Sequence, residues 1–279
     1  MTPAQFVALL FLISIVAGGL GALLGLGGGI IIIPTLTLLF GIDIRYAIGA
    51  SIVSVIATSS GAAAAYVRER MANMRVAMVL ETATTTGALS GAFLAGRIGG
   101  RWLYIIFGIV MAYSSLMMYR KKNESDTPPT RPAPWADYLR LHSSYYDESL
   151  GREVTYRVVC TRIGLGIMYL AGVISGLLGI GSGALKVPAM DLAMRLPIKV
   201  STATSNFMIG VTAAASAGVY FMRGDIDPFI AAPVATGVLI GATLGSRLLS
   251  KLQNSTVRLV FVAVLLWVST EMLIKGLHA

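Results

Sequence analysis

Long uncharged apolar runs alternate with short charged breaks along most of this chain. The pattern predicts five apolar elements at about 4–24, 30–40, 44–65, 74–96 and 101–119, then five more at about 163–178, 184–196, 198–221, 228–249 and 257–276. The longer ones approach the roughly 20 residues a helix needs to cross a bilayer. The second element of each half is too short for that. Residues 4–40 together exceed one span at about 1.5 Å per residue, yet fall short of two. A helical hairpin fits them, either re-entrant or made of shortened helices, and it returns the chain to its starting side.

The tip of each expected hairpin is rich in glycine. The first reads Gly25-Leu26-Gly27-Gly28-Gly29 and closes at Pro34; the second reads Gly179-Ile180-Gly181-Ser182-Gly183 and closes at Pro188. The match extends further at an offset of 154, pairing Gly18, Ile44, Ser51, Thr58 and Tyr66 with Gly172, Ile198, Ser205, Thr212 and Tyr220. Past a four-residue deletion the offset becomes 150, and Gly87, Gly91 and Arg97 pair with Gly237, Gly241 and Arg247. The chain therefore reads as an all-α integral membrane protein of two repeats, each a glycine-broken hairpin plus three spanning helices. An odd number of crossings per half makes the repeats inverted. The expected division is 1–119 for repeat one, 120–157 for a linker and 158–279 for repeat two.

The linker is polar. Its first part, with Pro128, Pro129, Pro132 and Pro134, reads as flexible. Its second part allows two readings: a β-hairpin of Tyr145-Tyr146-Asp147 and Val154-Thr155-Tyr156 about the Gly151 turn, or a disordered tether. Basic residues set the orientation. With the linker in the cytoplasm, the inner flanks hold Arg68, Arg70, Arg75, Arg120, Lys121, Lys122, Arg157, Arg162, Arg195, Lys199, Arg247, Lys251 and Arg258. The outer flanks hold Arg45, Arg97, Arg101, Arg223 and Lys275, a ratio of thirteen to five that puts both termini outside the cell membrane.

Composition agrees with this class: 56% of residues are hydrophobic and 13% charged, against about 25% charged in soluble domains. The net charge of +9 sits at the ends of apolar runs and does not point to nucleic acid. No basic stretch precedes the first run, which argues against a cleaved signal peptide. One cysteine and two histidines outside the spans offer no metal or haem set, and no cofactor is implied.

Broken helices expose backbone N–H groups inside the membrane, where they would hold an anion. The candidate substrate-binding residues are Gly27, Gly28, Gly29, Gly181, Ser182, Gly183 and Lys186, with Ser51, Ser205 and Asn206 close by on the spans that follow. Glycines also serve close helix packing, serines bond their own helix backbone, and a buried amide joins helices, so each has a structural reading as well. Lys186 stands where repeat one has Ile32. Its cation would attract an anion, or would snorkel or pair with an acid, Asp191 being one choice. Asp191 also lies four residues before Arg195, a spacing that suits a local pair. Glu81 is the one acid of its span: a proton carrier, or a partner of Arg75 or a linker arginine. Glu81 and Asp191 are thus the candidates for proton coupling.

At these residues the chain resembles the sulfite exporter TauE/SafE family. The resemblance rests on the two glycine motifs with Pro34 and Pro188, on Ala184-Leu185-Lys186-Val187 and on Ala203-Thr204-Ser205-Asn206-Phe207; Ser182 departs from the usual third glycine. It implies secondary transport of a small anion, such as sulfite, a sulfonate or a related sulfur-containing or organic anion, linked to a proton gradient. The expected partners are that anion and the lipid bilayer, and a homo-oligomer is compatible with the sequence. An anion channel filtered by the glycine tips is the alternative; no residue set for catalysis is visible.

Overall fold

The computed structural model describes residues 3–120, 133–249 and 251–278. The proline-bearing stretch 121–132, expected to be flexible up to Pro134, lies outside the described residues, as do both chain ends. The first half runs α1 (Pro3–Leu24), α2 (Gly29–Pro34), α3 (Ile44–Arg68), α4 (Met74–Ala95) and α5 (Gly100–Arg120). A short α6 (Pro134–Tyr138) and two strands, β1 (Ser143–Asp147) and β2 (Arg152–Tyr156), follow. The second half runs α7 (Thr161–Leu178), α8 (Gly183–Pro188), α9 (Ile198–Met222), α10 (Pro228–Leu249) and α11 (Asn254–His278). Among the described residues, seven helices are long and apolar enough to cross a membrane: α1, α3, α5, α7, α9, α10 and α11. This is an all-α integral membrane architecture. Leu12, Phe93, Trp102 and Leu259 stand exposed on its outer surface, as lipid-facing side chains do.

Two devices start or bend these helices. The Asp43 and Asn73 side chains accept from Arg45 N and Val76 N, capping α3 and α4. Pro34 and Pro188 carry no N–H and crowd the preceding turn, so the ladder slips to π-type turns at Thr35–Leu39 and Ala189–Ala193. The legs of each hairpin are unequal. The outgoing legs are full helices of 22 and 18 residues. The return leg Gly29–Leu39 rises only about 16 Å, roughly half of a hydrocarbon core about 30 Å thick. The glycine tips therefore lie deep in the molecule.

The two halves interlock. α1 packs on α10 of the other half, and its counterpart α7 packs on α4; α5 packs on α11, and α3 crosses α9 at the centre. Gly18 fits against Val238, and its counterpart Gly172 fits against Thr84, backbone to backbone. α3 and α9 run antiparallel: Gly49, near the start of α3, lies against Asp225 past the end of α9, while Ser59 donates to Asn206 O near the start of α9. One face gathers the starts of α1, α3 and α10, where Phe6 stacks with Phe229 and meets Phe40 edge-on. The opposite face carries the strands.

β1 and β2 form an antiparallel hairpin with Tyr145 opposite Val154 and Asp147 opposite Arg152. It is tied down at several points. Lys199, buried at the start of α9, donates to Asp147 at 2.7 Å and to Ser149 at 3.1 Å. Asn73 Nδ2 donates to Leu141 O and to the Tyr156 hydroxyl, both at 2.9 Å. Burial alone would raise the Asp147 carboxyl; the hydrogen bonds from Lys199 and Ser149, with the Lys199 charge, outweigh it and hold the group below the usual carboxylate range.

Candidate functional site

The two tips meet in the middle. Gly183 sits against the backbone of Gly25 and Leu26, while Gly27 and Gly181 both reach Val55 of α3 and Ile209 of α9. Gly25, Gly27, Gly179 and Gly181 all have positive φ, from 63° to 73°, a conformation that side chains resist and glycine permits.

Each tip is held by hydroxyls at equivalent places. Ser51 donates to Gly179 O at 2.7 Å, and Ser205 donates to Gly25 O at 2.8 Å. Tyr66 donates to Ala22 O at 3.0 Å, and Tyr220 to Gly176 O at 2.7 Å. Ser51 and Ser205 therefore neither point into open space nor bond their own helices. Each clamps the tip of the other half, a role that sequence reasoning missed. Asn206 Nδ2 donates to Ala22 O at 2.6 Å and to Thr202 O at 3.2 Å, joining α9 to α1. Its Oδ1, with the hydroxyls of Ser201 and Thr202, is buried without a hydrogen-bond partner among the described residues.

The tips differ at one pair of matched positions. Gly28 has φ −39°, and its N–H donates to Thr58 Oγ1 at 3.2 Å. Ser182 has φ 59° and turns its own hydroxyl onto Gly181 O at 2.7 Å. This left-handed backbone costs a serine roughly 1–2 kcal/mol. No partner meets the Ser182 N–H among the described residues. The counterpart of Thr58 is Thr212, and its hydroxyl is engaged elsewhere. It accepts from Lys186 Nζ at 2.6 Å and donates to Glu81 Oε1 at 2.6 Å. Lys186 also reaches Glu81 Oε2 at 3.5 Å, and Thr85 donates to Oε1 at 3.0 Å.

Lys186 is fully buried and Glu81 nearly so. The expected neighbours of the acids are displaced. Arg75 donates to Arg140 O and leaves Glu81 to Lys186. Asp191 meets neither Lys186 nor Arg195; Arg258 of α11 donates to it at 3.3 Å. Long-range packing decides both, because α8 lies against α9 and α5 while α4 lies against α7 and α9. The repeat alignment pairs Thr58 with Thr212 without giving either a role. The available signal was a threonine kept at one place in two apolar spans. Among the described residues no cluster of three His, Cys, Asp or Glu would hold a metal.

A bundle of spanning helices around two buried, glycine-lined breaks and a buried ion pair defines the class: a multi-pass membrane transporter. The chain belongs to the sulfite exporter TauE/SafE family, whose model matches residues 10–272. It is similar to the probable membrane transporter protein YunE of Bacillus subtilis (strain 168), at 28% identity over 97% of this chain and 98% of that protein. A probable membrane transporter protein of Xylella fastidiosa (strain 9a5c) is 28% identical over 92% of this chain and 94% of its own length. The probable membrane transporter protein MJ0441 of Methanocaldococcus jannaschii is 23% identical, with 92% and 91% covered. No solved structure matches the chain significantly.

Proposed function

We propose that this protein is a secondary transporter that carries a small anion, such as sulfite, a sulfonate or a related sulfur-containing or organic anion, across the cell membrane by alternating access with proton coupling. The observation that carries this reading is Lys186, a fully buried cation in the first turn beyond a glycine tip that keeps a backbone donor unpartnered. An ionisable side chain at such depth is costly and is usually there for a ligand or a proton. Gly27, Gly28, Gly29, Gly181, Ser182 and Gly183 would line the site where the tips part. Ser51, Ser205 and Asn206 would hold and release them.

The halves are read as inverted repeats, 1–119 and 158–279, which the antiparallel crossing of α3 and α9 supports. The linker hairpin is read as cytoplasmic and both termini as external, because the flanks on the hairpin side carry most of the basic residues. Uptake and efflux of labelled sulfite, sulfate, thiosulfate and a simple sulfonate by proteoliposomes, with and without a pH gradient, tests the reading. A carrier gives saturable flux that rises when unlabelled anion is placed on the far side. Flux that never saturates belongs to a channel.

A further inference from the structure

We propose that Lys186, Thr212 and Glu81 form an exchange site at the second tip, where the transported anion takes the place of the Glu81 carboxylate beside Lys186 and Glu81 leaves that pairing protonated. This rests on the anion-transporter reading and adds how the proton is coupled.

The first ground is a broken symmetry. Matched positions pair Thr58 with Thr212, Gly28 with Ser182 and Ile32 with Lys186. In the first half Thr58 accepts from Gly28 N at 3.2 Å and donates to Ser54 O at 2.8 Å, so its hydroxyl holds the tip backbone. In the second half the hydroxyl of Thr212 is taken up by Lys186 and Glu81, with Met208 O as a further acceptor at 3.1 Å. The Ser182 N–H then has no partner among the described residues, four residues before Lys186 in the proline-closed turn. The first threonine is spent on its tip's backbone, and the second on a buried cation and its carboxylate.

The second ground is charge balance. Among the described residues, Lys186 and Glu81 face each other with no third charge in ion-pair reach. From α9 the facing group is Thr212 and from α4 Thr85; α5 and α7 bring no charged side chain to the cluster among the described residues. A lone cation in such a place is strongly disfavoured, as is a lone carboxylate. An incoming anion satisfies Lys186 as Glu81 does. The displaced carboxyl then stays buried only in its neutral form, so it takes one proton from water. No other bond forms or breaks. The loaded site holds one cation, one bound anion and one neutral acid, and its net charge matches the empty site for a monoanion. A monoanion therefore crosses with one proton and no net charge, whereas a dianion carries one negative charge across.

The test uses methanesulfonate, a sulfonate that does not itself titrate near neutral pH, so any proton taken up belongs to the protein. With purified full-length protein, calorimetry in buffers of different ionisation enthalpy counts protons per anion bound. About one proton per anion is expected near neutral pH, by linkage between anion and proton binding. Infrared difference spectra are expected to gain a protonated-carboxyl band when the anion binds to the wild type, and to gain no such band in Glu81→Gln. Anion binding by the wild type without proton uptake overturns the inference and leaves the anion-transporter reading standing. So does a protonated-carboxyl band of wild-type size in Glu81→Gln. No binding of any sulfur anion by the folded wild type overturns both. The wild-type proton count decides the matter even if the variant fails to fold.

Discussion

Ser51 on α3 donates its hydroxyl to the carbonyl of Gly179 at 2.7 Å, a residue of the opposite half. Ser205 on α9 returns the contact to Gly25 at 2.8 Å. Each half thus fastens the tip of the other. Ser51→Ala or Ser205→Ala leaves a buried carbonyl unpaired, at a cost of about 1–3 kcal/mol. Thermal unfolding in detergent checks this, with a fall in midpoint expected for each variant. An unchanged midpoint in both would mean that the clamps contribute nothing.

The close approach of the tips makes size at Gly183 critical. A Cβ there would come within 2.6 Å of Leu26 Cα and collide with the Gly25 carbonyl. Gly183→Ala is expected to force the tips apart, lowering stability and abolishing counterflow. Gly218→Ala, on α9 with open space around it, is expected to be silent or slightly stabilising, since alanine favours helix by about 1 kcal/mol over glycine. Equal behaviour of the two variants would remove tip contact from the mechanism.

Lys186 and Glu81 pair inside the fold, and removing one partner exposes the other's charge to an apolar surround. Lys186→Met strands a buried carboxylate, which costs about 3–5 kcal/mol when one partner of such a pair is removed. Lys186→Met combined with Glu81→Gln recovers most of that loss, yet neither variant is expected to bind anion. Lys251→Ala, at an exposed position, is expected to leave binding unchanged. A double variant that restores stability and still binds anion would show that the cation is structural only.

The hairpin contact is set by pH in a definite direction. Docking holds the Asp147 carboxyl below its ordinary range, so the undocked group binds protons more readily. Docking is then fully favoured above the undocked value of about 4 and is lost as pH falls through the lower docked value. Amide exchange across 143–156, corrected for intrinsic rates, is expected to stay slow from neutral pH down to about 5 and to quicken below about 4. Asp147→Asn is expected to exchange fast already at neutral pH. Equal protection in that variant would separate docking from the Lys199 contact.

Much of this was legible in the chain itself. The apolar elements fall close to α1–α5 and α7–α11 because span length and flanking charge are local properties. The glycine breaks were visible because they occur twice. What sequence could not supply was long-range pairing. Spacing along one helix suggests Arg75 for Glu81 and Arg195 for Asp191; the actual partners, Lys186 and Arg258, come from other helices. The roles of Thr58 and Thr212 were hidden for the same reason, since a threonine in an apolar span carries no mark of what it touches. The π-type turns after Pro34 and Pro188 appear only once the return leg is seen to continue past them.

The most direct measurement is counterflow of labelled methanesulfonate in proteoliposomes containing wild type or Lys186→Gln. Saturable uptake in the wild type, raised by unlabelled anion inside and lost in Lys186→Gln, is the expected result. Uptake that persists in Lys186→Gln at the wild-type affinity would place the anion away from the second tip and contradict the site.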